Sequence, residues 1–279
     1  MFIAKAVATA LLVTSFGGLT SPDTQAAYQD KAKMESMIAA CMKEQGLTYL
    51  PEKVIKTNRT KAEQARLAGD YEALRAYRAK YGFGVWSQVV YPNDPSVNPD
   101  AGESRNNRHL MSLSPAELKN WRAGQDKCFA KAAKSVLGKT VSSRADLNDK
   151  LNADMRKAVG KLDKDQQLAQ LGKEFGACLQ VSETKPTALA KRGLTEFRKQ
   201  ATEVARSRQT GPLPKALQGK DVFIKPNMTA EEAKPYLEKE VEAALADLEC
   251  GKAFYKAYLP RERSIAVRVY QTYAYDFAL

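Results

Sequence analysis

The chain has 279 residues, 44% of them hydrophobic, with a mean hydropathy of −0.47 and a formal net charge of +12 at pH 7. This supplies enough apolar side chain for a core and excludes a membrane-embedded body, while the length suits one large domain or two small ones. The 44 lysines and arginines are scattered along every helical stretch, which reads first as a solvated basic surface and second as a site for a polyanion.

Lys5, an apolar run from Ala6 to Leu19, and a small-residue exit with Thr24 and Ala26 at the minus-three and minus-one places form a secretory signal peptide over residues 1–26. The run is shorter than the roughly 20 apolar residues needed to cross a bilayer. No later stretch comes close, so no membrane span is expected. In the first helix Met34, Met37, Ile38 and Cys41 share a face and Gly46 stops it. Leu67, Tyr71, Leu74, Tyr77 and Tyr81 then form one helical stripe, with Arg75 and Arg78 beside it, which reads as a core face.

Helical periodicity fails between Gly82 and Leu110, where glycines and prolines interrupt the run. A long loop of this kind is often functional, so residues 82–110 are the expected binding surface. Tyr81, Phe83 and Trp86, which flank Gly82 and Gly84, either stack on a ligand or plug the end of the domain. Arg75 and Arg78 supply charge beside them.

Ser114-Pro115-Ala116-Glu117 is a capping box with proline at the first helical position. The stripe Leu118, Trp121, Gln125, Cys128, Ala132, Val136 follows, and Gly138 sits where a left-handed cap belongs. Ser143 opens a helix carrying Leu147, Leu151, Met155 and Val159. Leu168, Leu171, Phe175 and Cys178 form the next stripe, which places Cys178 toward the core. A second loop covers 210–227, and Thr229 to Glu232 is another capping box. The segment containing Ile265, Val267 and Val269 alternates like a strand but lacks turn residues, so a helix is expected there.

An even number of cysteines in an exported chain implies disulfides, and four allow three pairings. The contexts around Cys41 and Cys178 match each other, as do those around Cys128 and Cys250, each with a Lys-Ala continuation. A diverged duplication with those openings and closings pairs Cys41 with Cys128 and Cys178 with Cys250. The expected fold is therefore an all-α, disulfide-stapled helical bundle made of two diverged modules, 27–140 and 141–279. The other two pairings stay open at this level. Zinc is disfavoured because there is no C-x-x-C pair and His109 is the only histidine.

No phosphate-cradling glycine loop, dinucleotide fingerprint, calcium loop or nucleophile elbow is present, so no cofactor and no catalytic residue is assigned. Carboxylate pairs such as Glu231 and Glu232 sit at helix starts, where negative charge complements the helix dipole.

The run Cys41-Met42-Lys43-Glu44-Gln45-Gly46-Leu47-Thr48-Tyr49, followed by Tyr81-Gly82-Phe83-Gly84 and a tryptophan-bearing helix with Trp121, resembles a group of uncharacterised exported proteins and lipoproteins of Streptomyces-type actinobacteria. The resemblance implies two cysteine pairs and an extracytoplasmic compartment. It implies no activity. The first cysteine here, Cys41, lies well past the expected cleavage site, so the lipid anchor of many such proteins is not expected.

Together these readings favour a secreted or wall-associated, non-catalytic binding protein of the cell envelope that contacts anionic wall polymers, with extracellular nucleic acid a weaker candidate. A protein-binding partner in a secreted assembly and a wall-polymer hydrolase using carboxylates are the alternatives.

Overall fold

A computed structural model describes residues 22–52, 59–98, 104–209, 211 and 223–273. Among them the chain is helical, with no strand: α1 (Pro22–Glu44), α2 (Lys61–Leu67), α3 (Tyr71–Tyr81), α4 (Ser87–Val90), α5 (Asn107–Ser112), α6 (Pro115–Leu137), α7 (Arg144–Val159), α8 (Gln166–Cys178), α9 (Pro186–Ser207), α10 (Ala230–Cys250) and α11 (Lys252–Gln271). A 3₁₀ turn, Gly160–Lys164, joins α7 to α8. No helix among the described residues is long and apolar enough to cross a membrane.

Residues 1–21 of the expected signal peptide lie outside the described residues, and α1 runs through the expected cleavage bond after Ala26. Tyr28, Met34, Ile38 and Met42, all beyond that bond, are buried.

The helix starts follow their sequence signals closely. Ser114 with Glu117 and Thr229 with Glu232 form reciprocal capping boxes, and Gly138 closes α6 in the left-handed conformation. A third box, Thr60 with Glu63, opens α2. The aromatic stripe read as one helix is two, because Gly69 turns the chain and Asp70 caps α3. The final segment is helical as far as Gln271, and the residues beyond Tyr273 lie outside the described set, as does most of the second loop.

Both disulfides are those expected from the matched contexts. Cys41–Cys128 ties α1 to α6 with Cα atoms 5.6 Å apart, and Cys178–Cys250 ties the ends of α8 and α10 with Cα atoms 5.5 Å apart. Cys128 is fully enclosed, but Cys178 is exposed. The core register of α8 passes instead from Phe175 to Leu179, one residue further on. Cys250 is the last residue of α10, and Gly251 separates it from α11, so its Lys-Ala continuation begins a new helix.

The apolar side chains gather into three clusters. The first joins Ile38 and Met42 of α1 to Trp121 and Phe129 of α6, Leu147 and Leu151 of α7, and Tyr273. The second joins Leu74 of α3 to Phe175 of α8, Leu189 of α9, Leu248 of α10 and Tyr258 of α11. The third joins Val85, Trp86 and Val89 to Phe197 of α9 and Leu237 of α10. Each cluster draws on both sides of residue 140, so the expected module boundary does not divide the core. The reason is that α3 and α4 lie along α10, whereas α11 returns to α7 and α8.

Candidate functional site: a basic groove along α9

The residues first expected to bind a ligand lie between Arg75 and Trp86, and the structure buries most of them. Segment 82–110 is not a plain loop. It holds α4 and the start of α5, helices too short to show a period. Trp86 is 0% exposed, stacks on Tyr236 with ring centroids 4.3 Å apart, and donates its indole N–H to Gln200 Oε1 at 3.1 Å. Phe83 lies against Phe197 with centroids 5.7 Å apart. Its ring fills the space beside Gly193, where a Cβ would come within 2.1 Å of Phe83 Cζ. Tyr81 is buried and donates to Asp94 Oδ2 at 2.7 Å. These aromatics plug the core.

The turn that carries them is organised around a carboxylate from far away in the chain. Glu240 of α10 is 0% exposed. It accepts from the backbone N–H of Phe83 and Val85 at 2.9 Å and of Trp86 at 2.7 Å. Gly82 has φ +62°, and a Cβ there would lie 2.6 Å from Glu240 Cγ, so only glycine allows the approach. Burial pushes the Glu240 carboxyl up to about 7 against the opposing pull of these N–H donors.

Arg78 is consumed in the same way. Its guanidinium donates to Asp247 Oδ1 at 2.6 Å and to the Ala244 carbonyl at 2.9 Å, and Tyr255 donates to the same Asp247 oxygen at 2.6 Å. Burial opposes the charge on Arg78, but Tyr255 and Asp247 outweigh it and hold its pKa above the ordinary value. Of the residues first singled out, Arg75 alone is exposed.

The open, charged surface is elsewhere. Helix α9 buries Leu189, Gly193, Phe197 and Ala201 on one side. The positions Lys191, Thr195, Arg198 with Lys199, Thr202 and Arg206 recur every three to four residues, the spacing that puts side chains on one ridge. At 1.5 Å per residue that ridge extends about 22 Å from Lys191 to Arg206.

Two adjoining depressions run beside it. One, of about 820 Å³, lies between α9 and the end of α7 and is lined by Arg156, Lys191, Arg192 and Lys199 with Asp163, Glu183 and Glu196. The other, of about 480 Å³, is lined by Arg198, Lys199 and Arg206 with Glu203 and Phe223. Thr195 and Lys199 line both, so the two depressions adjoin along α9. Thr202 Oγ1 accepts from the Ile224 N–H at 3.1 Å, and the Arg198 guanidinium sits 5.5 Å from the centre of the Phe223 ring, so the 223–224 segment forms one bank.

The groove's acids are mostly occupied. Asp163 accepts from the Thr187 N–H and hydroxyl, both at 2.9 Å. Glu183 accepts from the N–H groups of Thr184 and Lys185, and Glu196 pairs with Arg192 at 3.2 Å. Among the described residues, Arg156, Lys191, Arg198, Lys199 and Arg206 form no ion pair. Nor does any group of three or more metal-ligating side chains come together there.

The molecule is thus a disulfide-stapled all-α bundle carrying a basic groove. Comparison with protein-family models, curated proteins and solved structures finds no match to this chain, so its site is read from its own chemistry.

The α9 ridge does not stand out in the sequence because lysines and arginines are scattered along every helical stretch. The available signal was their periodicity, Lys191, Arg198 and Arg206 at intervals of seven and eight residues with Thr195 and Thr202 between them.

Proposed function

We propose that the chain is an exported, non-catalytic binding protein whose α9 groove holds an anionic polymer of the cell envelope. The observation that carries this reading is the row Lys191, Arg198, Lys199 and Arg206 on one ridge, none of which forms an ion pair among the described residues. Six cations line the two depressions against four acids, and three of those acids are committed to capping or to an ion pair. A polymer with regularly spaced phosphate or carboxylate groups can exchange its counterions for such a row, and that gain does not depend on reading any particular sequence of subunits. The commitment of Asp163, Glu183 and Glu196 favours binding over the hydrolase alternative. The two disulfides support an oxidising, extracytoplasmic compartment.

The test is titration of the full chain with long-chain polyphosphate, and separately with a poly(glycerol phosphate), across a series of salt concentrations. Affinity should fall steeply with salt. The variant carrying Lys191→Glu, Arg198→Glu and Arg206→Glu should bind at least about tenfold more weakly, with a shallower salt slope by about one unit per lost contact. Arg75→Glu should bind as the wild type does. Equal binding by the triple variant and the wild type would refute the groove.

A further inference from the structure

A separate pocket of about 240 Å³ lies between α2, α7 and α11, around the start of α9. Its wall is largely carbon. Of the residues that line it, Val159 is buried, and Leu67, Met155, Leu259 and Ala266 are half-buried. The volume exceeds the roughly 150 Å³ at which a dry apolar cavity already takes up benzene, so it admits an aromatic ring or a medium-length acyl chain.

The charge at this pocket is of one kind in excess. Lys191 is exposed and Arg263 half-buried, and neither forms an ion pair among the described residues. The one acid of the wall, Glu262, accepts the Tyr258 hydroxyl at 3.1 Å. A neutral apolar ligand would leave these cations unanswered, and an inorganic anion would leave the carbon wall facing water. An amphiphile with an anionic head satisfies both.

We infer that this pocket binds the apolar chain of an anionic amphiphile, whose carboxylate or phosphate head is held by Arg263 and Lys191. Val159 and Lys191 also line the larger depression beside α9, so the head rests at the end of the polyanion groove. The inference does not depend on the groove's being a polymer site.

The full chain is titrated calorimetrically with hexanoate, octanoate and decanoate below their micellar concentrations, then with decyl phosphate, decanol and inorganic phosphate. Affinity should rise by about fourfold per added methylene, the increment expected for burying a CH₂ group, until the pocket is full. Decanol should bind more weakly than decanoate, and inorganic phosphate should not displace it. A preference for decyl phosphate identifies a lipid-type phosphate head, and a preference for decanoate a fatty acid; both agree with the pocket.

Ala266→Trp fills the cavity and should abolish decanoate binding while polyphosphate binding and helical circular dichroism persist. Arg263→Glu should weaken decanoate by about tenfold, the loss of a charge-assisted contact, and leave decanol unchanged. The variant Arg198→Glu with Arg206→Glu should keep decanoate binding, so failure of one site is distinguishable from failure of the other. Affinity independent of chain length overturns the inference, as does decanoate binding undiminished by Arg263→Glu. The second result decides the matter even if Ala266→Trp does not fold.

Discussion

Two regions of this molecule combine arginines with aromatic rings, and the bundle uses them in opposite ways. Around Gly82–Val90, Arg78 finds Asp247, Trp86 finds Tyr236, and the backbone of the turn closes on Glu240. Along α9, Arg198 touches one ring, Phe223, while Lys191, Lys199 and Arg206 face solvent with no ion-pair partner among the described residues. The difference is what lies opposite. A charge whose counter-charge is supplied by the fold belongs to stability, and removing one member strands the other. A charge left without one is available to something outside the chain. Similar residue types therefore predict opposite outcomes when substituted.

The largest expected effect is on Arg78. Arg78→Ala leaves Asp247 buried beside Tyr255 without its cation, and should cost about 3–5 kcal/mol in urea unfolding. Trp86→Ala and Phe83→Ala should each lower the melting temperature sharply, and Trp86→Ala should lower the unfolding free energy by about 3–5 kcal/mol because its side chain is wholly enclosed. If the Trp86→Ala protein melts as the wild type does and instead loses polymer binding, the assignment of the two regions is reversed.

A pH series sharpens the contrast further. The Glu240 carboxyl titrates near 7 in the folded chain against an ordinary value of 4.5, so the native state holds its proton more tightly than the unfolded chain. Its contribution to stability is fully present below about 4.5 and is lost as pH rises through about 7. Melting temperatures taken from pH 5 to pH 8 should fall for the wild type by more than for Glu240→Gln, and parallel curves would contradict the assignment. The smallest effect belongs to α9, where Arg198→Glu and Arg206→Glu should change stability by no more than about 0.5 kcal/mol each, while polyphosphate binding weakens.

Much of the bundle was legible because its signals are local. Ser114 and Glu117 announce a helix from within four residues, Gly138 ends it, and both are found in those roles. The disulfide pairing was legible from matched contexts, although the modules those contexts suggested do not own separate cores. Cys178 was misplaced because α8 ends on it, and Leu179 rather than Cys178 continues the stripe. The turn at Gly82 was illegible in a deeper sense. Its glycines and aromatics read as an open loop because the acceptor that organises them, Glu240, stands 154 residues beyond Trp86. The α9 ridge was hidden by the opposite problem, since in a chain this basic a row of cations has little contrast against its background.

The Glu240 contact also bears on the order in which the chain is made. A growing polypeptide presents Arg78 and the N–H groups of Phe83, Val85 and Trp86 long before Glu240 and Asp247 exist, and domains otherwise tend to form from the N-terminus onward. Until α10 arrives, the early half holds an unpaired guanidinium, three orphaned donors and an uncovered tryptophan. The third core cluster is therefore completed only when the last quarter of the chain has been synthesised, and a ribosome stalled before α10 leaves a product that cannot close.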